Sequence, residues 1–296
     1  MVISLLITFG QVLEIGVARL KQAGIDGYER EANLLLQALM HEDNKFIFLH
    51  RNDGIEELHA DVYFEMIDRR AEREPLQYIT GSQEFMGHNF QVNESVLIPR
   101  QDTETVVEFA IDKAHEMKKC SSVLDMCCGS GAIAVSMVKA LPKADAVACD
   151  CSDEALKTAK INAVQNGVDN RINFKKTDMF EEERHGKISQ IKGKFDMIIC
   201  NPPYIPSNVI ETLQTEVKDH EPRMALDGGD DGLDFYRIIA RDASAHLKKK
   251  GVMVLEIGHD QAAAVSDLLQ ETSAYADIQV HQDLAGHDRI VYCTLA

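Results

Sequence analysis

The chain has 296 residues, more than one small core organises, and this length favours two domains or one large α/β domain. Hydrophobic residues make up 45% and charged residues 27%, an ordinary globular composition, and no apolar run reaches the roughly eighteen residues that span a bilayer. Lys and Arg number 31 against 48 Asp and Glu, a formal charge of −17, which repels a polyphosphate backbone unless a local basic patch overcomes it, so no extended nucleic-acid surface is expected.

The opening MVISLLITFG has no basic region before it and no small-residue cleavage site, and Glu14 soon interrupts it, so it reads as the start of a buried helix. The seven cysteines include the adjacent Cys127 and Cys128 and the pair Cys149 and Cys151. None has zinc-ribbon spacing, so reduced thiols in a cytoplasmic protein and no metal site are expected.

From Gln11 to about Arg73 apolar residues recur at helical spacing. Leu13, Val17 and Leu20 share one face, Ala32, Leu35, Leu36 and Leu39 another, and Ile55, Leu58, Val62 and Met66 a third. The charged stretch DRRAEREP, ending in Pro75, then marks a boundary. Gly81 and Gly87 punctuate runs with β-like residues, LQYIT and HNFQV, which suggests a β-hairpin linker. Beyond Thr103 short apolar runs alternate with amphipathic stretches: SVLDM, a helix from about Ala132, DAVACD, a helix from about Asp153, then RINFKK, FDMIIC and VMVLEIG. This is the pattern of a parallel sheet covered on both faces. IQVHQ and RIVYCTL are joined by DLAGHD, too short for a crossover helix, so that pair should be antiparallel.

Ligands of an open α/β sheet bind at the carboxyl ends of its strands, where the strand order reverses. Four segments end there. In VLDMCCGSG, Gly129 and Gly131 let the backbone approach a ligand and a helix start offers free N–H groups. Asp150 ends the next strand, near the ~20-residue spacing at which a carboxylate hydrogen-bonds ribose hydroxyls. An NAD enzyme would satisfy these two segments equally well. Asp178 and Met179 could flank an adenine ring, the carboxylate accepting from its amine and the thioether packing on its face.

The fourth segment is NPPY, Asn201 to Tyr204, at the tip of the buried run FDMIIC. A planar conjugated nitrogen is a poor nucleophile because its lone pair is delocalised. Asn201 offers both a donor and an acceptor to a planar amide, and the Pro202 carbonyl can accept from the nitrogen being modified. Tyr204 could stack on the flat group or wall it from water, so no dedicated general base is needed. A bland alternative has Pro202 and Pro203 merely ending the strand and Tyr204 packing as core. His259 and His287 read as loop groups, the run EEER at Glu181–Arg184 as a solvated loop, and Arg100 with Glu104 as a contact between domains or a support for the cofactor site.

The order of acidic strand end, glycine turn, second acidic strand end, third Asp and NPPY resembles the class I S-adenosylmethionine-dependent methyltransferases. The stretches EREPLQYITGSQEFMGHNFQV, VLIPRQDTETVVE, EPRMALDGGDDGLDFYR, LEIGHDQ and DLAGHDRIV resemble the protein-(glutamine-N5) methyltransferases of peptide-chain release factors, from Thr8 to the end of the chain. The resemblance implies a seven-stranded Rossmann-like sheet with the last strand antiparallel. It implies a helical substrate-docking domain over 1–75, a β-hairpin linker over 76–100 and the methyltransferase domain over 101–296. It further implies methyl transfer from S-adenosyl-L-methionine, with S-adenosyl-L-homocysteine as product, to the glutamine of the Gly-Gly-Gln loop of class I release factors. Neither nucleic acid nor membrane is implied as partner. On the cofactor side stand Asp125, Cys127, Cys128, Gly129, Ser130, Gly131, Asp150, Asp178, Met179 and Asn201. Asn201, Pro202, Pro203 and Tyr204 hold the glutamine, with Asn201, Pro202 and Tyr204 catalytic. Two related acceptors stay open, a ribosomal-protein glutamine and an adenine amine, because NPPY-type tetrapeptides occur with each. The chain departs from the family pattern at Cys127, where glycine is usual, at Met179, where an aromatic is usual, and in its opening MVISLLI.

Overall fold

The computed structural model describes residues 7–179 and 191–296, so the EEER run and the first six residues lie outside it. Its contacts divide the chain into two units. One comprises Met1–Ser82 with Gln214–His220, the other Gln83–Leu213 with Glu221–Ala296.

The first unit is a helical bundle of α1 (Phe9–Gln22), α2 (Tyr28–Met40), α3 (Asn44–Leu49), α4 (Glu57–Ala71) and α5 (Leu76–Thr80). Thr8 and Gln11 form a reciprocal capping box at the start of α1, each side chain accepting from the other's backbone N–H. Gly16 lets α1 approach α4, because a Cβ there would stand 2.2 Å from the Tyr63 hydroxyl. Val12, Leu20, Leu35, Leu36, Ile47, Ile55, Tyr63 and Ile67 fill the core. Two expectations are corrected here. Helix α4 buries Ala60, Tyr63, Ile67 and Arg70, while Leu58 is 70% exposed, because a Tyr that donates to the Ala32 carbonyl and a paired Arg occupy the inner face. LQYIT is the helical turn α5 rather than a strand, since Pro75 precedes it and the left-handed Gly81 ends it. The charged stretch before it is tied down: Arg70, 6% exposed, bonds Glu31 at 2.5 Å and Glu216 at 3.1 Å, and Arg73 bonds Glu216 at 3.3 Å. Gln214–His220, which the sequence reading assigns to 101–296, thus packs with the first unit.

In the second unit a hairpin joins β1 (Ser82–Phe85) to β2 (His88–Gln91) through Met86 and Gly87, both at positive φ, as a two-residue turn requires. The sheet that follows contains β3 (Ser122–Met126), β4 (Asp145–Asp150), β5 (Ile172–Lys176), β6 (Phe195–Cys200), β7 (Leu247–Glu256), β8 (Tyr275–Gln282) and β9 (Asp288–Leu295). Their order is β5-β4-β3-β6-β7-β9-β8, with β9 antiparallel to both neighbours.

Alternate strand residues enter two different cores. Val123, Met197, Ile199, Val252 and Val254 face α6 (Gln101–Glu116), α7 (Ala132–Ala140) and α8 (Asp153–Gln165). Leu124, Ile198, Cys200, Met253 and Leu255 face α9 (Asp234–Asp242) and α10 (Ala262–Glu271). A period of two with both parities buried is why these strands read as continuous apolar runs. The order reverses between β3 and β6, and the site lies at that switch point.

Candidate active site

A cleft of about 500 Å³ opens at the carboxyl ends of β3, β4 and β6. Of the residues singled out in the sequence, Cys127, Gly129, Asp150, Asp178, Met179, Asn201 and Pro203 line it. Asp125, Cys128, Ser130, Gly131, Pro202 and Tyr204 do not.

Asp125 is fully buried beneath the glycine turn and accepts from the Ala134 N–H at 3.0 Å, tying β3 to the first turn of α7. Burial pushes its carboxyl well above the usual range, and Oδ1 has no hydrogen-bond partner among the described residues. Cys128 and Ser130 are buried. Gly131, at φ 78°, holds α7 close to α8, since a Cβ would stand 3.0 Å from the Ala159 Cβ. Gly129 differs: at φ 52° a Cβ would meet nothing within 4 Å, so its bare backbone faces the open cleft.

Asp150 accepts from Gly129 N and Ser152 N, each at 2.9 Å. Burial raises its pKa, while these N–H groups and that of Cys151 work in the opposite direction. A carboxylate at a strand end is an acceptor suited to the hydroxyls of a diol. Thr177 positions the next segment, its N–H bonding the Asp150 carbonyl at 3.0 Å and its hydroxyl the Met179 carbonyl at 2.8 Å. Cys127 and Met179 both have left-handed backbones, φ 59° and 50°, and their sulfurs are 3.4 Å apart. The conformation at Cys127 is one that favours glycine, which is the physical content of that departure from the family pattern. Burial also raises the pKa of Cys128, Cys149 and Cys200, so these thiols are inert.

The tip of β6 is braced from outside. Ile205 and Asp227 form a parallel bridge, and Gly228 N bonds the Ile205 carbonyl at 2.9 Å. A Cβ at Gly228 would stand 2.8 Å from the Tyr204 Cα, and one at Gly232 2.4 Å from the Tyr204 carbonyl oxygen. The glycines of LDGGDDG therefore let one loop lie flat on the NPPY backbone. Gln261 Nε2 donates to the same carbonyl at 2.9 Å. The Tyr204 ring packs against the second core cluster, and burial pushes its hydroxyl up to about 12, so it stays protonated.

The rest of the lining comes from segments without a periodic signal. Ser95–Leu97 and Pro222 with Met224 and Ala225 form part of the wall, and Phe235 completes an apolar patch. These two loops are joined by Glu221, which accepts from Ile98 N at 3.1 Å and pairs with Arg100. Arg100 thus pairs with Glu221, while Glu104 accepts from Met86 N at 2.6 Å. The blocks VLIPR and EPRM carried this signal as two oppositely charged residues beside prolines.

The lining fits a nucleoside that carries a thioether or sulfonium side chain. A bare Gly129 backbone, a carboxylate at a strand end and two sulfurs with an aromatic ring offer the contacts such a molecule needs.

The comparison with known proteins narrows this further. The family described as PrmC N-terminal domain matches residues 11–81, and that described as Methyltransferase small domain matches 110–219. The release factor glutamine methyltransferase of Clostridium botulinum is 38% identical, over 93% of this chain and 95% of its own. That of Moorella thermoacetica is 39% identical over 98% of each. The chain belongs to the release factor glutamine methyltransferase family. Use of S-adenosylmethionine is a general property of such methyltransferases. A methyltransferase structure from Pyrococcus furiosus, 14% identical, covers 71% of this chain and 90% of its own with a TM-score of 0.50, a likeness of fold alone. Among the described residues no helix is long and apolar enough to cross a membrane.

Proposed function

We propose that this member of the release factor glutamine methyltransferase family methylates N5 of the glutamine in the Gly-Gly-Gln loop of class I release factors, in the cytoplasm, with S-adenosyl-L-methionine as donor. The observation that carries the reading is the convergence of the β6 tip, Asn201 and Pro203, on the same cleft as Gly129, Asp150 and Met179. When bound, the cofactor supplies an electrophilic methyl group on a sulfonium. Asp150 would accept from its ribose hydroxyls, Asp178 and Met179 would flank its adenine, and the Gly129 turn would take its methionine part.

The protein's own task is positioning. Methyl transfer is an in-line displacement, and holding acceptor and donor aligned supplies much of the acceleration. Asn201 offers a carboxamide to the glutamine amide, and the Pro202 carbonyl lies beyond the end of β6, outside the strand ladder, so it can accept an N–H from the acceptor nitrogen. Those bonds favour positive charge on that nitrogen as its lone pair leaves conjugation. Pro203 and Tyr204 fix the tip. A protonated, buried Tyr204 is no base, which agrees with loss of the proton after transfer. The helical unit matched over residues 11–81 would dock the release factor.

The test is incubation of the protein with S-adenosylmethionine and a purified release factor, followed by peptide mass spectrometry. A mass gain of one methyl group on the loop glutamine, abolished by changing that glutamine to alanine, is the expected result. Label appearing in RNA or DNA instead would replace the reading with adenine methylation.

A further inference from the structure

Glu256 ends β7 and is 1% exposed. Leu255 pairs with Cys200 across the parallel β6–β7 ladder, so Glu256 stands level with Asn201. Its backbone is fully occupied: the carbonyl accepts from the Tyr236 hydroxyl at 2.7 Å, and the residue pairs with Ile290 of β9. The carboxyl is different. Oε2 is buried with no hydrogen-bond partner among the described residues, an arrangement costly enough to call for a reason.

The groups that face it come from every element around it. Helix α6 contributes Thr103 and Asp102, β9 contributes Arg289, the β6 tip contributes Asn201, Cys200 and Tyr204, and α9 contributes Tyr236. Arg289 is shared, at 3.1 Å from Asp102 and 3.3 Å from Asp283, and it also donates to the Ile257 carbonyl at 3.3 Å. Burial therefore outweighs the downward influence of Thr103, Asn201 and the Arg289 charge, and Glu256 is pushed up to about 7.

The Asn201 amide points Nδ2 at the Thr103 hydroxyl oxygen, 3.3 Å away. A hydroxyl that accepts from Asn201 has its own proton free to donate, and the enclosed Glu256 carboxyl, on which both Thr103 and Asn201 act, has an unpartnered oxygen to take it. An ionised carboxylate only accepts, so it selects the arrangement in which the hydroxyl and the amide both present hydrogens inward. A neutral carboxylic acid can donate, and that selection is lost.

We infer that Glu256 is a positioning residue which, through Thr103, holds the Asn201 carboxamide with Nδ2 inward and Oδ1 toward the cleft. The acceptor nitrogen then meets an oxygen that takes its N–H, instead of an NH₂ that opposes it. The inference rests on the reading of Asn201 as the grip on the glutamine amide. Its consequence is a kcat that rises with pH through about 7 and is level above.

The experiment uses the full chain with S-adenosylmethionine and a purified release factor, in the variants Glu256→Gln, Thr103→Val, Thr103→Ser and Asn201→Ala. Glu256→Gln and Thr103→Val are expected to lower kcat by about 10- to 100-fold and to erase the rising limb, as loss of an orienting group does. Thr103→Ser keeps the hydroxyl and should restore both. Calorimetry with S-adenosylhomocysteine should give Kd values within about two-fold of wild type for all of them. In the wild type, the Asn201 side-chain amide signal in NMR should shift with the midpoint of the kcat limb. A wild-type kcat and pH limb in both Glu256→Gln and Thr103→Val, with Asn201→Ala inactive, overturns the role of Glu256 alone. Equal loss of kcat and cofactor affinity in the first two variants also overturns it, in favour of a support for the cofactor pocket. Full activity in Asn201→Ala brings down the reading of NPPY and this inference with it.

Discussion

At the amino ends of β3, β6 and β7, Asp196 collects the backbone N–H and hydroxyl groups of Ser121 and Ser122 and the Lys248 ammonium, all within 3.1 Å. At the carboxyl ends of the same three strands, Asp125 and Glu256 each keep an oxygen without a partner among the described residues. Burial acts on all three carboxyls, yet the outcome is opposite. The donors around Asp196 overcome it and hold the group down at about 2, whereas Asp125 and Glu256 are pushed up. The comparison separates two uses of one sheet. A carboxylate that serves stability is held by converging donors, while the two under-satisfied carboxyls and the left-handed Cys127 and Met179 stand at the end where the chemistry is.

The strongest way to break that distinction is at the β6 tip. Asn201→Ala should lower kcat by on the order of 10²–10³, the effect of losing an aligned polar group at the reacting centre, with cofactor affinity little changed. Single-turnover kinetics alongside calorimetry check it. Equal loss of both would make Asn201 mainly a cofactor ligand.

The two ends should also differ in the sign of their stability against pH. Glu256 has a folded pKa of about 7, above its unfolded value, so its contribution is complete below about pH 4 and is lost as pH rises through 7. Glu256→Gln should therefore raise stability at about pH 8, by on the order of 2 kcal/mol, and change it little at about pH 4. Asp196 has the opposite sign. Its folded pKa of about 2 lies below the unfolded value, so its contribution is present above about pH 4 and disappears as pH falls toward 2. Asp196→Ala should cost roughly 1–3 kcal/mol at neutral pH while leaving kcat per folded molecule unchanged. Urea titrations at several pH values measure both. A Glu256→Gln protein that is less stable at high pH would remove the contrast between the two ends.

The smallest effect expected is at the glycine turn. Cys127→Gly relieves a side chain held at φ 59° but adds chain freedom in the unfolded state, so stability should move by less than about 1 kcal/mol. Thermal melting with and without S-adenosylhomocysteine resolves this. A large loss would mean that the contact of Cys127 with Met179 supports the turn.

Much of the second unit is legible in the sequence because a strand buried on both faces leaves a run such as FDMIIC, and the short DLAGHD link forces β8 and β9 to lie antiparallel. The hairpin is legible from Gly87. The inner face of α4 is not, because Tyr63 and Arg70 lie inward through partners far along the chain, Ala32 and Glu216, that periodicity does not reveal. LQYIT misleads for a different reason: its β-branched and aromatic residues are overruled by a proline and a glycine at its two ends. At the site, the strand-end residues stand out as motifs, whereas Ser95–Leu97 and Pro222–Ala225 come from irregular loops brought together through Glu221. Glu256 is hidden in plain view, since LEIG reads as the end of a strand and nothing local marks its carboxyl as enclosed.

The return of the chain into the helical unit at Gln214–His220 means that no single scission yields the two halves intact. Severing the backbone after Ser82 would leave this heptapeptide on the wrong fragment, with Glu216 stripped of both Arg70 and Arg73. Truncated versions made at that point would be amputations rather than isolated domains, and a split protein would reassemble only by rethreading a segment that begins ten residues downstream of NPPY.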